Sequence, residues 1–150
     1  MASVRRQIEI DADADSVWEA IRDFGAVHER VVPGFVVDCR IDGDARIVTF
    51  FTGSVQREPL VDLDDRARRL VYGAVDSPLG ATHYNASVQV WAEGQRNCRV
   101  EWVIDVLPDG LAPTLASSWI APPSRCERRS PARPCEPLPR RAATGITGRA

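Results

Sequence analysis

Few residues in this chain have both a reactive side chain and a setting that could use it. Glu58 lies in a strand pattern, on one face with Gln56 and Leu60. Buried there, its carboxyl has the chemistry of a general acid or base; exposed, or beside a nearby arginine, it is an ordinary strand carboxylate. Tyr84 opens an uninterrupted alternation, with Ala86, Val88 and Val90 on its face and Asn85, Ser87 and Gln89 on the other. That period of two turns the phenol inward and His83 outward. Tyr72 follows Leu70 at strand spacing and reads as core filler with a polar tip. Ser77 and Ser87 have no His and Asp placed to activate them, so nucleophilic catalysis has no support. Cys39, Cys98, Cys126 and Cys135 form no C-x-x-C pair, and neither His28 nor His83 stands at zinc-ligand spacing from them. No metal site and no cofactor are expected. Cys39 and Cys98 fall within apolar strand patterns, as small core residues do.

These side chains hang on strands, and the strands are read from their period. Val4, Arg6, Ile8 and Ile10 alternate with Arg5, Gln7 and Glu9. Acids at 11, 13 and 15 then mark a helix start, where they meet the positive end of the dipole. Val17, Trp18, Ile21 and Phe24 give that helix an apolar face, and Gly25 is expected to end it. A second short helix is predicted around residues 26–30, closed by Pro33-Gly34. Six strand patterns follow. Phe35, Val37, Cys39 and Ile41 alternate with Val36, Asp38 and Arg40; Asp42-Gly43-Asp44 makes a hairpin turn; Val48 and Phe50 share the next face. The remaining patterns run around Gln56–Leu60, Leu70–Ala74, Tyr84–Val90 and Cys98–Val106, and a last helix opens at Leu111-Ala112-Pro113. The sum is an α+β domain: a seven-stranded antiparallel sheet, two short helices after strand one, and a shortened C-terminal helix as cover.

Length and charge set the limits. At 150 residues and a net charge of −2 the chain is long enough for one domain with a real core, and it lacks an overall basic nucleic-acid footprint. No run of about 18 apolar residues is present, so no membrane span is expected. The first residues carry no secretory apolar stretch, which points to the cytoplasm. Composition breaks near residue 121. Residues 1–121 hold 12 Arg against 19 acids; residues 122–150 hold 7 Arg against 2 acids, with 6 of the 11 prolines. The expected organisation is a domain over 1–121 and a disordered Arg/Pro-rich tail over 122–150. Every basic residue is arginine. The tail's composition is that of GC-rich DNA read out of frame from near residues 116–121, or of an ordinary basic Pro-rich tail.

The order of elements, with Ser16-Val17-Trp18-Glu19-Ala20-Ile21-Arg22-Asp23-Phe24, Arg57-Glu58, Leu60-Val61-Asp62-Leu63-Asp64-Asp65 and Tyr84-Asn85-Ala86, resembles the SRPBCC superfamily. This is the helix-grip fold of START and birch-pollen-allergen-like proteins, here closest in pattern to the polyketide cyclase/dehydrase and lipid-transport branch. The resemblance covers about residues 3–115. It implies a cavity between sheet and C-terminal helix that holds a hydrophobic small molecule. Its wall would be Val48, Phe50, Leu60, Ala86 and Trp102, and its polar handles Glu58, Tyr72 and Tyr84. In the plant abscisic-acid receptors, which share the fold, an acid, an aromatic and a tyrosine at these three positions face the ligand; the lysine that anchors a carboxylate there is matched by Val37. Two functions follow from the resemblance: carriage of a lipid, isoprenoid or polyketide-like ligand, or a cyclase or dehydratase using Glu58 and Tyr84 for proton transfer. A lid helix of ~11 residues, carrying Leu115, Trp119 and Ile120 and stopped by Pro122-Pro123, would be ~16 Å long. Apolar sheet left open by so short a lid would be covered by a homodimer or a ligand, or would leave the fold marginal.

Overall fold

The structure is a computed structural model that describes residues 1–117. Strand β1 (Ala2–Ile10) is followed by helix α1 (Ala14–Ile21), a 3₁₀ turn at Phe24–Ala26 and helix α2 (Val27–Arg30). Six strands then run in a meander: β2 (Val36–Asp42), β3 (Ala45–Phe50), β4 (Val55–Asp64), β5 (Arg69–Gly73), β6 (His83–Ala92) and β7 (Cys98–Leu107). Helix α3 is described over Ala112–Ser117. Trp119, Ile120, the stop at Pro122-Pro123 and the 122–150 tail lie outside the described residues. The seven strands form one antiparallel sheet in the order β1-β7-β6-β5-β4-β3-β2, the helix-grip arrangement.

Local chemistry explains the boundaries. Asp13 caps α1 by accepting from the Ser16 amide at 2.8 Å, and that bond holds its carboxyl below the usual range. The helix ends at Ile21, not at Gly25, because the chain tightens into the 3₁₀ turn. A side chain at Gly25 would press on Ile41 at 3.2 Å. Gly43 and Gly53 take positive φ (63° and 84°) in the turns after β2 and β3, a conformation open to glycine. α1 lays Ala14, Trp18 and Ile21 against Tyr72, Ala86, Val88 and Ile104 of the sheet, forming the main core. The Trp18 indole N–H donates to Asp65 at 2.9 Å and ties α1 to the β4–β5 turn. Arg6 reaches from β1 to the Ala116 carbonyl at 2.8 Å and holds α3 across the sheet. Cys98 is buried and Cys39 half-buried, and burial raises both thiols above their ordinary pKa.

One strand departs from its simple period. A bulge between Val36 and Asp38 in β2 turns Val36 inward and leaves Val37, 54% exposed, on the outside. Ile41 is likewise exposed. The extra residue of a bulge resets the alternation, which the pattern Phe35, Val37, Cys39, Ile41 had taken as continuous.

Candidate functional site

β3 and β4 build the polar side of the site. Their hairpin register sets Arg46 directly opposite Glu58 and Val48 opposite Gln56. All four side chains are buried, so this face of the hairpin puts a guanidinium, a carboxylate and an amide inside the fold. Among the described residues, Arg46, Gln56 and Glu58 are the buried polar or charged side chains.

They satisfy one another. Arg46 Nε donates to Glu58 Oε2 at 2.7 Å, and Gln56 Nε2 donates to Glu58 Oε1 at 2.8 Å. The Ser77 hydroxyl donates to Gln56 Oε1 at 3.2 Å, linking the β5–β6 loop to the same chain of bonds. Arg46 Nη1 donates to the Phe24 carbonyl at 3.2 Å. The guanidinium also lies 4.3 Å from the Phe24 ring centre and 4.8 Å from that of Tyr72, so aromatic rings cover it as well. A buried ion pair is tolerable when further hydrogen bonds support it, and here Gln56 supports the carboxylate and the Phe24 carbonyl supports the guanidinium.

Beside this network lies a cavity of about 500 Å³ between the sheet and helices α2 and α3. Its wall includes Val27 of α2, Val48 and Phe50 of β3, Trp102 and Ile104 of β7, and Leu115 of α3. Pro78 and Leu79 of the β5–β6 loop border it too. Such a site, mostly apolar with a few convergent polar groups, suits a small hydrophobic molecule.

Two phenols face the cavity from neighbouring strands. Burial pushes Tyr72 well above its ordinary pKa; Tyr84 and Glu58 add to the rise, against Arg46 and a hydrogen bond with Trp102. Burial likewise raises Tyr84, with Glu58 adding to it and Arg46 opposing. Both therefore keep their protons at neutral pH. A neutral phenol donates and accepts hydrogen bonds but is no base. The Glu58 carboxylate has both oxygens engaged, by Arg46 and Gln56, and Tyr84 borders the same cavity as a neutral phenol.

Of the residues singled out by sequence, Val48, Phe50, Glu58, Tyr72, Tyr84 and Trp102 border the cavity. Leu60 does not. It is 36% exposed, beyond Ala45 and Pro59, the last β3–β4 pair, where a bulge between Leu60 and Asp62 breaks the period. Ala86 is fully buried, but it lies between Tyr72 and Ile104, whose larger side chains border the space instead. Val37, matched to the carboxylate-anchoring lysine, faces away on the exposed side of its bulge. Among the participants that were missed are Arg46, Gln56 and Phe24 around Glu58, and Val27 and Ile104 in the wall. Arg46 shares parity with Val48 and Phe50, and Gln56 with Glu58, so the signal was in the alternation. Phe24 was read as helix-to-sheet packing. Among the described residues, no three His, Cys, Asp or Glu side chains come together as a metal-ion cage. No helix among them is long and apolar enough to cross a membrane.

The family model described as polyketide cyclase / dehydrase and lipid transport matches residues 1–129, which supports a hydrophobic-ligand-binding role in general. Among curated proteins none matches. Solved structures do. A protein from Thermobifida fusca is 31% identical, with a TM-score of 0.67 over 78% of this chain and 82% of its own. Truncated norcoclaurine synthase from Thalictrum flavum is 21% identical, with a TM-score of 0.59 over 70% of this chain and 74% of its own. A START superfamily protein from Mycobacterium smegmatis is 14% identical, with a TM-score of 0.64 over 77% of this chain and 87% of its own. The last two are likenesses of fold. With the meander sheet, the helix across it and the match along most of its length, the chain belongs to the polyketide cyclase / dehydrase and lipid transport family.

Proposed function

We propose that this protein binds and carries a hydrophobic small molecule, of the lipid, isoprenoid or polyketide-like kind, in the cavity between the sheet and α3. The observation that carries the reading is the cavity itself: about 500 Å³ of space walled by aliphatic and aromatic side chains, with its charged groups paired on one side. Val48, Phe50 and Trp102 act as wall. Tyr72 and Tyr84 offer hydrogen bonds, and Glu58 belongs to the network that braces the polar end. The binding unit is residues 1–121, with 122–150 an appended tail.

The cyclase or dehydratase alternative asks Glu58 and Tyr84 to move protons. Glu58 is engaged at both oxygens, by Arg46 and Gln56. Tyr84 holds its proton far above neutral pH. Neither is poised as a base. Carriage needs no such group, and the geometry supports it better.

Native mass spectrometry of the purified chain should find a small-molecule mass retained, and Nile red should brighten on titration into it. Ile104→Trp places an indole in the cavity and should abolish both. An unchanged Nile red titration in a folded Ile104→Trp protein would refute the proposal.

A further inference from the structure

Arg46 is a cation in a ligand-sized cavity, and its first reading is as an anchor for an acidic ligand. Its contacts argue the reverse. Nε is spent on Glu58 at 2.7 Å and Nη1 on the Phe24 carbonyl at 3.2 Å. The ring centres of Phe24 and Tyr72 lie 4.3 and 4.8 Å from its guanidinium carbon. Among the described residues bordering the cavity, Arg46 and Glu58 carry charge, and they cancel.

A carboxylate entering this space would sit beside Glu58 with no unmatched cation to meet it. It would lose its hydration to a wall of valine, phenylalanine and isoleucine, which disfavours the charged form. An ammonium ligand fares no better, since the Glu58 charge is already matched by Arg46 at 2.7 Å and the nearby rings already hold a guanidinium. What the cavity still offers is the neutral chemistry of phenol hydroxyls. Tyr84 is the open one, bordering the cavity and keeping its proton, able to donate to a carbonyl or ether oxygen or to accept from a hydroxyl.

We infer that the site selects uncharged hydrophobic ligands bearing a carbonyl, ester or hydroxyl oxygen, and that the Arg46–Glu58 pair excludes fatty carboxylates and amines of the same size. This rests on the carrier reading and names its ligand class. Specificity then comes from what the charged pair repels as much as from what the phenols attract.

The test is Nile red displacement from the full chain at about pH 7, where carboxylates and amines are both ionised. Four competitors share one alkyl chain: dodecanol, methyl dodecanoate, dodecanoate and dodecylamine. The alcohol and the ester should each compete at least about tenfold more strongly than the two ions, a gap of about 1.4 kcal/mol. The ester against the acid is the cleanest comparison, because it needs no variant. Glu58→Gln keeps the shape but leaves Arg46 unmatched, so in a folded variant the ratio of dodecanoate to ester binding should rise about tenfold or more. Dodecanoate equal to or better than the ester on the natural chain would overturn the inference. So would failure of both neutral ligands to compete, or an unchanged ratio in folded Glu58→Gln. If Nile red itself does not bind, the carrier reading falls and takes this inference with it.

Discussion

Breaking the Arg46–Glu58 pair from one side should be among the most damaging single changes available in this fold. The two side chains are 6% and 7% exposed and meet at 2.7 Å. At an effective dielectric of ~20 that separation corresponds to about 6 kcal/mol of attraction, set against the cost of dehydrating both ions. The net worth of the pair is therefore modest, but removing one partner strands the other. Glu58→Leu leaves a buried guanidinium with one charged partner gone, and Arg46→Met leaves a buried carboxylate; each should cost about 3–5 kcal/mol. For a chain near 150 residues, about 2–4 °C of melting temperature accompanies each kcal/mol, so each variant should melt roughly 6–20 °C lower. The double variant replaces the pair with apolar groups of similar bulk and should recover most of the loss. Urea unfolding followed by circular dichroism on all four proteins closes the cycle. The exposed Arg57–Asp42 pair, 3.4 Å apart, is the control: Asp42→Asn should shift stability by less than about 1 kcal/mol. Single variants that cost under about 1 kcal/mol, or a double variant as unstable as the sum of its parts, would refute the reasoning.

Other outcomes follow from the same geometry. Tyr84→Ala should weaken Nile red binding about tenfold or more while exposed His83→Ala leaves it within about twofold, because the two neighbours point to opposite faces; equal losses would remove Tyr84 from the site. The chain's two tyrosines, Tyr72 and Tyr84, both have raised pKa values. In the unfolded chain a tyrosine ionises near pH 10, so their stabilising share is intact below about pH 10 and is lost as pH rises above it. Ultraviolet absorbance should accordingly show no phenolate until circular dichroism reports unfolding; a phenolate signal with a midpoint near 10 in the folded protein would contradict the burial. Asp65→Ala should cost about 1–3 kcal/mol, since it strands the Trp18 indole N–H in a buried position. An unchanged urea midpoint would mean that this N–H finds another acceptor.

Periodicity made much of the fold legible, and it failed where the chain adds a residue. In β6 the alternation from Tyr84 to Val90 is unbroken: Ala86, Val88 and Val90 are buried, and Tyr84, half-buried, borders the cavity. In β2 and β4, bulges beside Val36 and Leu60 shift the parity, and no residue type announces them. Ala86 shows a different limit: parity gives the face of a side chain, while its reach past larger neighbours depends on volume across three strands. The charged pair was closer to hand. Arg46 shares the parity of Val48 and Phe50, so the sequence already put it inside, where an arginine needs a partner. The partner follows from the turn. Gly53 at positive φ closes the β3–β4 hairpin, and the register pairs Thr49 with Val55, Val48 with Gln56, Ile47 with Arg57 and Arg46 with Glu58, each couple equidistant from Thr52. A buried arginine and a buried glutamate at equal distances from one turn must face each other across the ladder. Lengthening that turn by one residue would move Glu58 out of register with Arg46 and present Arg57 or Pro59 instead. The length of a surface loop thus sets the charge inside the cavity.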